Sequence, residues 1–104
     1  MRDRKSQRID EKKEVVVKDG DRSYSCLLTD ISVTGISVTT MHFIATYKEI
    51  EVVMEIAGKM VAMKGSVRWS IDPGASRDKK GKLGIFIMNP PPAFLEYVKT
   101  RGKK

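Results

Sequence analysis

Hydrophobic and polar residues alternate most regularly in the middle of the chain. Between residues 50 and 56 every second residue is apolar: Ile50, Val52, Met54 and Ile56. The intervening positions include Glu51 and Glu55. A period of two predicts a strand with one buried face. Residues 57–59 are typical of a turn, and an alternating run over 60–70 follows, so we expect an antiparallel hairpin.

The second strand of this hairpin places its one tryptophan on the apolar side. Four residues of the run share a phase: Val61, Met63, Val67 and Trp69. The opposite phase carries polar side chains: Lys64, Ser66 and Arg68. The alternation therefore favours packing of Trp69 in the core, with Arg68 facing solvent.

Shorter apolar runs and turn residues complete the prediction. Further strands are expected at residues 15–18, 24–29, 35–40 and 83–88. Three prolines at 90–92 end the last strand, and Phe94, Leu95 and Val98 recur at helical spacing, which predicts a helix over about 90–101. Residues 41–48 fit either a loop or a short extra helix. We expect a mainly β protein: a small six-stranded antiparallel β-barrel with a C-terminal α-helix.

The first 13 residues have a different composition. They contain six basic and three acidic side chains, with Ile9 as the one aliphatic residue after Met1. Such a segment buries too little apolar surface to offset the entropy of ordering. We therefore divide the chain into a flexible basic N-terminal arm, residues 1–13, and a barrel with its helix, residues 14–104.

Length and charge narrow the possibilities. The chain has 104 residues, 40% of them hydrophobic, and a formal net charge of +7. This is the size of one domain with a modest core. The positive charge is compatible with an anionic partner or with a charged surface that keeps a small domain soluble.

Other residue types argue against several kinds of site. Cys26 is the single cysteine, so we expect no internal disulfide, a buried thiol and a cytoplasmic location. No apolar stretch approaches the roughly 20 residues that cross a bilayer, so we expect no membrane insertion. His42 has no second histidine or carboxylate at metal-ligand spacing, so we expect neither a metal site nor a catalytic residue.

Two short motifs carry recognition chemistry. Arg4 and Arg8 form an RxxxR segment in the arm, and Asp30, Ser32 and Gly35 form a DxSxxG segment between two predicted strands. An arginine fork can bind a phosphate, or the O6 and N7 atoms of guanine, through two parallel hydrogen bonds. A carboxylate can accept from the N1 and N2 donors on the opposite edge. The pair predicts a guanine-nucleotide receptor.

With RxxxR and DxSxxG in this order, the chain resembles the PilZ family of cyclic diguanylate (cyclic di-GMP) receptors. The likeness extends to the strand that contains Gly65-Ser66-Val67-Arg68-Trp69, the strand that contains Leu83-Gly84-Ile85-Phe86, and the C-terminal helix. The resemblance implies a bacterial, non-enzymatic protein of second-messenger signalling, which binds cyclic di-GMP and acts on a partner protein in motility or biofilm regulation. It is compatible with one nucleotide per site or with a stacked pair.

The resemblance also implies which residues contact the ligand. The motif positions Arg4, Arg8, Asp30, Ser32 and Gly35 are expected to line the site. For Ser32 the alternative is to hold the turn, and for Gly35 it is to shape the backbone. Two further candidates are Arg2, for a phosphate, and Trp69, for stacking on a guanine if it lies at the barrel surface.

Two other functions fit the sequence. A PilZ-like barrel without nucleotide binding can serve as a protein adaptor. A small basic barrel can also bind single-stranded nucleic acid through charge and stacking, although the chain has only seven aromatic residues. Base-independent affinity that falls steeply with salt distinguishes the last function from the receptor.

Overall fold

A computed structural model of the chain describes residues 9–75, 77 and 80–102. The strands within these residues are β1 (Ile9–Asp19), β2 (Arg22–Ser32), β3 (Gly35–Thr40), β4 (Glu49–Ile56), β5 (Lys59–Ile71) and β6 (Gly81–Ile87). A 3-10 turn, Pro73–Ala75, follows β5, and the helix α1 (Pro92–Gly102) follows β6.

The strands form a closed antiparallel barrel. They are hydrogen-bonded in the order β1-β2-β3-β6-β5-β4, and β4 pairs with β1 to complete the circle. Closure pairs strands that would otherwise be exposed sheet edges. The predicted six-stranded barrel with a C-terminal helix is confirmed.

The inner face of the barrel follows the period-two pattern. In β4 all four apolar residues of the predicted face are at most 6% exposed: Ile50, Val52, Met54 and Ile56. In α1 three residues are buried: Phe94, Tyr97 and Val98. This helix contacts β1 and β4. Leu95, which the helical spacing grouped with Phe94, is 39% exposed, so Tyr97 takes its place in the packed face.

Two-residue turns set the register of two hairpins. Ala57 and Gly58 join β4 to β5 with φ of 54° and 83°, the pattern of a type I′ turn. In the β1–β2 hairpin Gly20 adopts a φ of 62°. These turns match the right-handed twist of the strands that they connect.

The boundary predicted between arm and barrel is wrong. Because β1 begins at Ile9, residues 9–13 belong to the barrel. Pairing of β1 with β2 supplies the backbone hydrogen bonds for this polar segment, which composition alone did not indicate. The rest of the predicted arm, residues 1–8, lies outside the described residues.

The segment between β3 and β4, left open above as a loop or a helix, is a loop. Ile44 is buried, whereas Met41, Phe43 and Tyr47 are exposed. Tyr47 has a φ of 68°, and its amide donates a hydrogen bond to the carbonyl oxygen of Val67 at 2.5 Å. This bond ties the end of the loop to β5.

Candidate functional site

The DxSxxG segment lies at the β2–β3 hairpin. Its serine is fully buried at the end of β2. The Ser32 Oγ accepts a hydrogen bond from the Thr34 amide at 3.3 Å and donates one to the Gly35 carbonyl oxygen at 3.4 Å. Of the two roles considered for Ser32, these contacts favour holding the turn.

Gly35 is required by the packing of strands. A Cβ atom on Gly35 would collide with the carbonyl oxygen of Ile85 in the neighbouring strand β6. Its φ is not positive, so the need is for close approach and not for a left-handed conformation. This close approach favours the second of the two roles considered for Gly35, which is to shape the backbone.

Asp30 lies on the outer face of the barrel. Its neighbour Ile31 is fully buried and points inward, so the Asp30 carboxylate is directed outward. Across the strands, Asp30 pairs with Ser37, and Ser37 pairs with Gly84. Gly84 in turn pairs with Trp69. The four residues form one row across β2, β3, β6 and β5.

A β-bulge in β5 explains the other end of this row. Val67 pairs with Ile85 and Trp69 pairs with Gly84, which leaves Arg68 as an extra residue. The bulge reverses the alternation beyond Val67, so Trp69 points outward and is 43% exposed. The prediction that Trp69 packs in the core is therefore wrong, because the alternation carried no sign of the bulge.

The indole of Trp69 lies against Gly84. A Cβ atom on Gly84 would collide with the indole ring. Leu83 and Ile85 on either side are buried, so Gly84 presents its empty side to the outer face and the ring covers it. On the same strand Phe86 also faces outward, with the Arg68 guanidinium 4.6 Å from the centre of its ring.

These residues surround a cleft of about 450 Å³. Its lining consists of Asp30, Thr34, Gly35, Ile36, Ser37, Arg68, Trp69, Gly84, Ile85 and Phe86. The lining thus contains one carboxylate, one guanidinium and two aromatic rings. That combination suits a planar, polar and anionic ligand.

The register of β1 links this cleft to the first motif. Ile9, the first residue of β1, pairs with Ile31, and Asp10 pairs with Asp30. Arg8 immediately precedes Ile9 in the sequence. Arg2, Arg4 and Arg8 themselves lie outside the described residues.

Seven of the ten lining residues were not predicted from the sequence as site residues, among them Ser37, Arg68 and Phe86. Ser37 and Phe86 were assigned to strands without a role, and Arg68 was assigned to solvent. One signal was available for Arg68 and Trp69, since a cation beside an aromatic ring is a common base-binding combination. Phe86 carried no such signal, because an aromatic residue among Leu83, Ile85 and Ile87 is typical of a buried strand.

The one cysteine and the one histidine of the chain lie outside this cleft. Cys26 is a buried free thiol, as expected, and burial raises its pKa. The His42 ring stacks on Tyr24, with ring centres 4.2 Å apart. In the described part of the chain, no group of three or more histidine, cysteine or acidic side chains is arranged to hold a metal ion. No helix there has the length and apolar character needed to cross a membrane.

Comparison with known proteins identifies the family of this fold. The family model of the PilZ domain matches residues 2–96, which include both motifs and all six strands. The chain belongs to the PilZ domain family. Domains of this family are binding and adaptor domains. A search of curated proteins finds no match to this PilZ domain.

Solved structures show the same fold. The inhibitor of motility of Bacillus subtilis (MotI/DgrA) is 16% identical, with a TM-score of 0.76 over 97% of this chain and 50% of that one. PlzA of Borreliella burgdorferi, solved with cyclic di-GMP, is 17% identical, with a TM-score of 0.71 over 97% and 41%. The PilZ domain of Escherichia coli YcgR, solved with the same nucleotide, is 15% identical, with a TM-score of 0.63 over 96% and 88%. The chain thus spans half or less of MotI and PlzA.

Proposed function

We propose that this PilZ domain is a receptor for cyclic di-GMP that orders its N-terminal segment over the nucleotide and thereby signals to a partner protein. One observation carries the proposal. Ile9, the residue that follows Arg8 in the sequence, pairs with Ile31 of the DxSxxG hairpin, next to Asp30 in the cleft. This pairing supports a site shared by the two motifs, which are 22 residues apart from Arg8 to Asp30.

The chemistry of the cleft fits the two halves of such a ligand. Arg4 and Arg8, with Arg2 as an additional contact, supply guanidinium forks for phosphates and for the O6 and N7 atoms of guanine. Asp30 accepts hydrogen bonds from the N1 and N2 donors of a guanine. The exposed face of Trp69 offers a stacking platform for a base. Ser32 and Gly35 support the site by fixing the hairpin that carries Asp30.

Two structural neighbours support this ligand. The structures of PlzA and of the YcgR PilZ domain contain cyclic di-GMP. Their identity to this chain is below 20%, so the argument for the ligand rests on the motif residues and the cleft, and the neighbours add a precedent in the same fold.

Ordering of the N-terminal segment provides the signal to the partner protein. A segment that folds over a ligand creates one surface and hides another, which changes the affinity for a partner protein. MotI is named as an inhibitor of motility, which favours motility or biofilm regulation as the setting for the partner. We place the receptor in a reducing, bacterial cytoplasm, where the buried Cys26 thiol stays free.

Calorimetric titration of cyclic di-GMP into the 104-residue chain tests the proposal. We expect binding that Arg8→Ala and Asp30→Asn each weaken at least ten-fold, because each variant removes one charge-assisted contact. Arg22→Ala serves as the matched control, since Arg22 is exposed at the far end of β2. GTP in place of the cyclic dinucleotide should give no comparable heat.

Two outcomes would contradict the receptor. A folded protein that gives no heat with cyclic di-GMP would favour the adaptor that acts without nucleotide. An affinity for oligothymidine that equals the affinity for cyclic di-GMP, and that falls steeply as the salt concentration rises, would favour binding of single-stranded nucleic acid.

A further inference from the structure

We infer that Arg68 recognises a guanine, and that it acts with Trp69 on the half of the cyclic dinucleotide that is far from Asp30. This inference rests on the proposed function and deepens it. It assigns a base-reading role to a residue of the barrel itself, outside both sequence motifs.

The bulge in β5 presents two consecutive side chains to the same cleft. In a regular strand, neighbouring side chains point to opposite faces. Because Arg68 is the extra residue between two β5–β6 pairs, both Arg68 and Trp69 lie on the outer face. Bulges that redirect side chains in this way are common beside binding sites.

Both side chains are held in defined places on β6. The Trp69 indole covers Gly84, and the Arg68 guanidinium lies 4.6 Å from the centre of the Phe86 ring. Residues two apart on one face of a strand are about 7 Å apart. The guanidinium therefore lies beside the indole and not above it.

The positions of Arg68 and Trp69 determine which atoms of a bound base lie close to the guanidinium. A base stacked on the exposed face of Trp69 would direct one edge toward Arg68. Arginine has five N–H donors and no acceptor. Guanine offers two acceptors on one edge, O6 and N7, whereas adenine offers N7 beside the N6 donor. Arg68 therefore favours guanine over adenine at this position.

The distance between Asp30 and Trp69 assigns the Arg68 contact to the half of the ligand that Asp30 does not bind. Asp30 and Trp69 are at opposite ends of the row that crosses four strands. Three strand spacings correspond to about 14 Å along the sheet. This is wider than one purine, so Asp30 and the Arg68–Trp69 pair would contact different halves of a cyclic dinucleotide.

The charge of Arg68 is available for a ligand. Among the described residues that line the cleft it is the one cation, and no carboxylate of the described chain is paired with it. Its contact with Phe86 is a cation–π interaction, which positions the guanidinium and leaves its hydrogen-bond donors unused.

The test compares two ligands and two variants. Cyclic di-GMP and the mixed dinucleotide 3′,3′-cyclic GMP-AMP are titrated into the full chain, Arg68→Ala and Arg68→Lys, with Arg22→Ala as the matched control. Calorimetry gives the affinities, and fluorescence of Trp69, the one tryptophan of the chain, reports stacking at this position. Thermal unfolding of each variant checks that the barrel is intact.

We expect Arg68→Ala to weaken cyclic di-GMP binding about ten-fold or more. Binding of the mixed dinucleotide should weaken much less, because adenine presents one acceptor and one donor to the Arg68 guanidinium and not two acceptors. The preference for guanine therefore falls in the variant. Lysine keeps the charge but not the fork, so Arg68→Lys should also lose the preference.

Three results would overturn this inference. Unchanged affinity of Arg68→Ala for cyclic di-GMP would show that Arg68 does not contact the ligand. Equal loss for both dinucleotides would show that it holds a phosphate and does not read a base. In both cases the receptor stands. No binding of either dinucleotide by the unaltered chain would overturn the receptor, and this inference with it.

Discussion

The hydroxyl of Tyr97 on α1 donates a hydrogen bond to the carboxylate of Glu11 in β1, across 86 positions of sequence. The same carboxylate oxygen lies 3.3 Å from the Nε atom of Arg101, and the Lys13 ammonium lies 4.7 Å from the centre of the Tyr97 ring. Three contacts thus fasten the C-terminal helix to the strand that directly follows the RxxxR segment.

Replacement of Tyr97 by phenylalanine should lower the free energy of unfolding by about 1–2 kcal/mol. The variant keeps the buried ring and removes one hydrogen bond to a charged acceptor, while Arg101 still pairs with Glu11. Urea denaturation measures the change. Tyr47→Phe is the matched control, because Tyr47 is 76% exposed and should change stability by less than about 0.5 kcal/mol. Equal effects of the two substitutions would contradict the role of this bond.

The same hydroxyl predicts a dependence of stability on alkaline pH. Burial, followed by the hydrogen bond and the charge of Glu11, raises the pKa of Tyr97 from 10.0 to about 12. The folded state holds the proton more tightly than the unfolded state, so the contribution is complete below pH 10 and is lost as pH rises toward 12. Other groups titrate in this range, so the quantity to measure is the difference in stability between the unaltered chain and Tyr97→Phe. We expect that difference to shrink between pH 10 and 12; a constant difference would count against the raised pKa.

Gly35→Ala should be the most damaging alanine substitution among the glycines of the cleft. The added methyl group would meet the backbone carbonyl of Ile85, which cannot move without separating β3 from β6. We expect a loss of about 3 kcal/mol or more, measured by urea denaturation. Gly74→Ala is the control, since its nearest neighbour is 3.5 Å away in a surface turn. A Gly35 variant as stable as the control would refute the close approach of these strands.

Gly84→Ala should act differently, because the methyl group meets a side chain and not the backbone. The Trp69 indole can swing away from the strand, at a cost of about 1–2 kcal/mol. The displaced ring would be more exposed, so we expect a red shift of its fluorescence together with weaker cyclic di-GMP binding. An unshifted spectrum would mean that the indole does not rest on Gly84.

The barrel itself was predictable because its signals are local. Alternation over 50–56, the two-residue turns and the prolines before α1 each act within a few residues of sequence. The structural effect of each of these signals does not depend on which strand pairs with the segment that carries it. The position of Asp30 at the hairpin between two strands followed from the same kind of signal.

The site could be predicted only in part, because its geometry depends on pairing between distant strands. The outward direction of Trp69 results from a bulge, and a bulge is a property of the β5–β6 register. Residues 9–13 look too polar to fold, yet Glu11 and Lys13 are held by Tyr97 and by the carbonyl oxygen of Glu55. Neither contact leaves a trace in the local sequence.

The turn between β4 and β5 offers a stabilising substitution. A type I′ turn needs positive φ at both central residues, and Ala57 adopts a φ of 54° at a cost of roughly 1 kcal/mol. Asparagine tolerates this conformation, so Ala57→Asn should raise the free energy of unfolding by about 0.5–1 kcal/mol. Gly58→Ala, at a φ of 83°, should lower it by a similar amount. Ala57 does not line the cleft that contains Asp30, so nucleotide affinity should stay the same in a variant whose midpoint of urea unfolding moves upward. A lower midpoint for Ala57→Asn would show that the alanine is held by packing that outweighs the strain of its backbone.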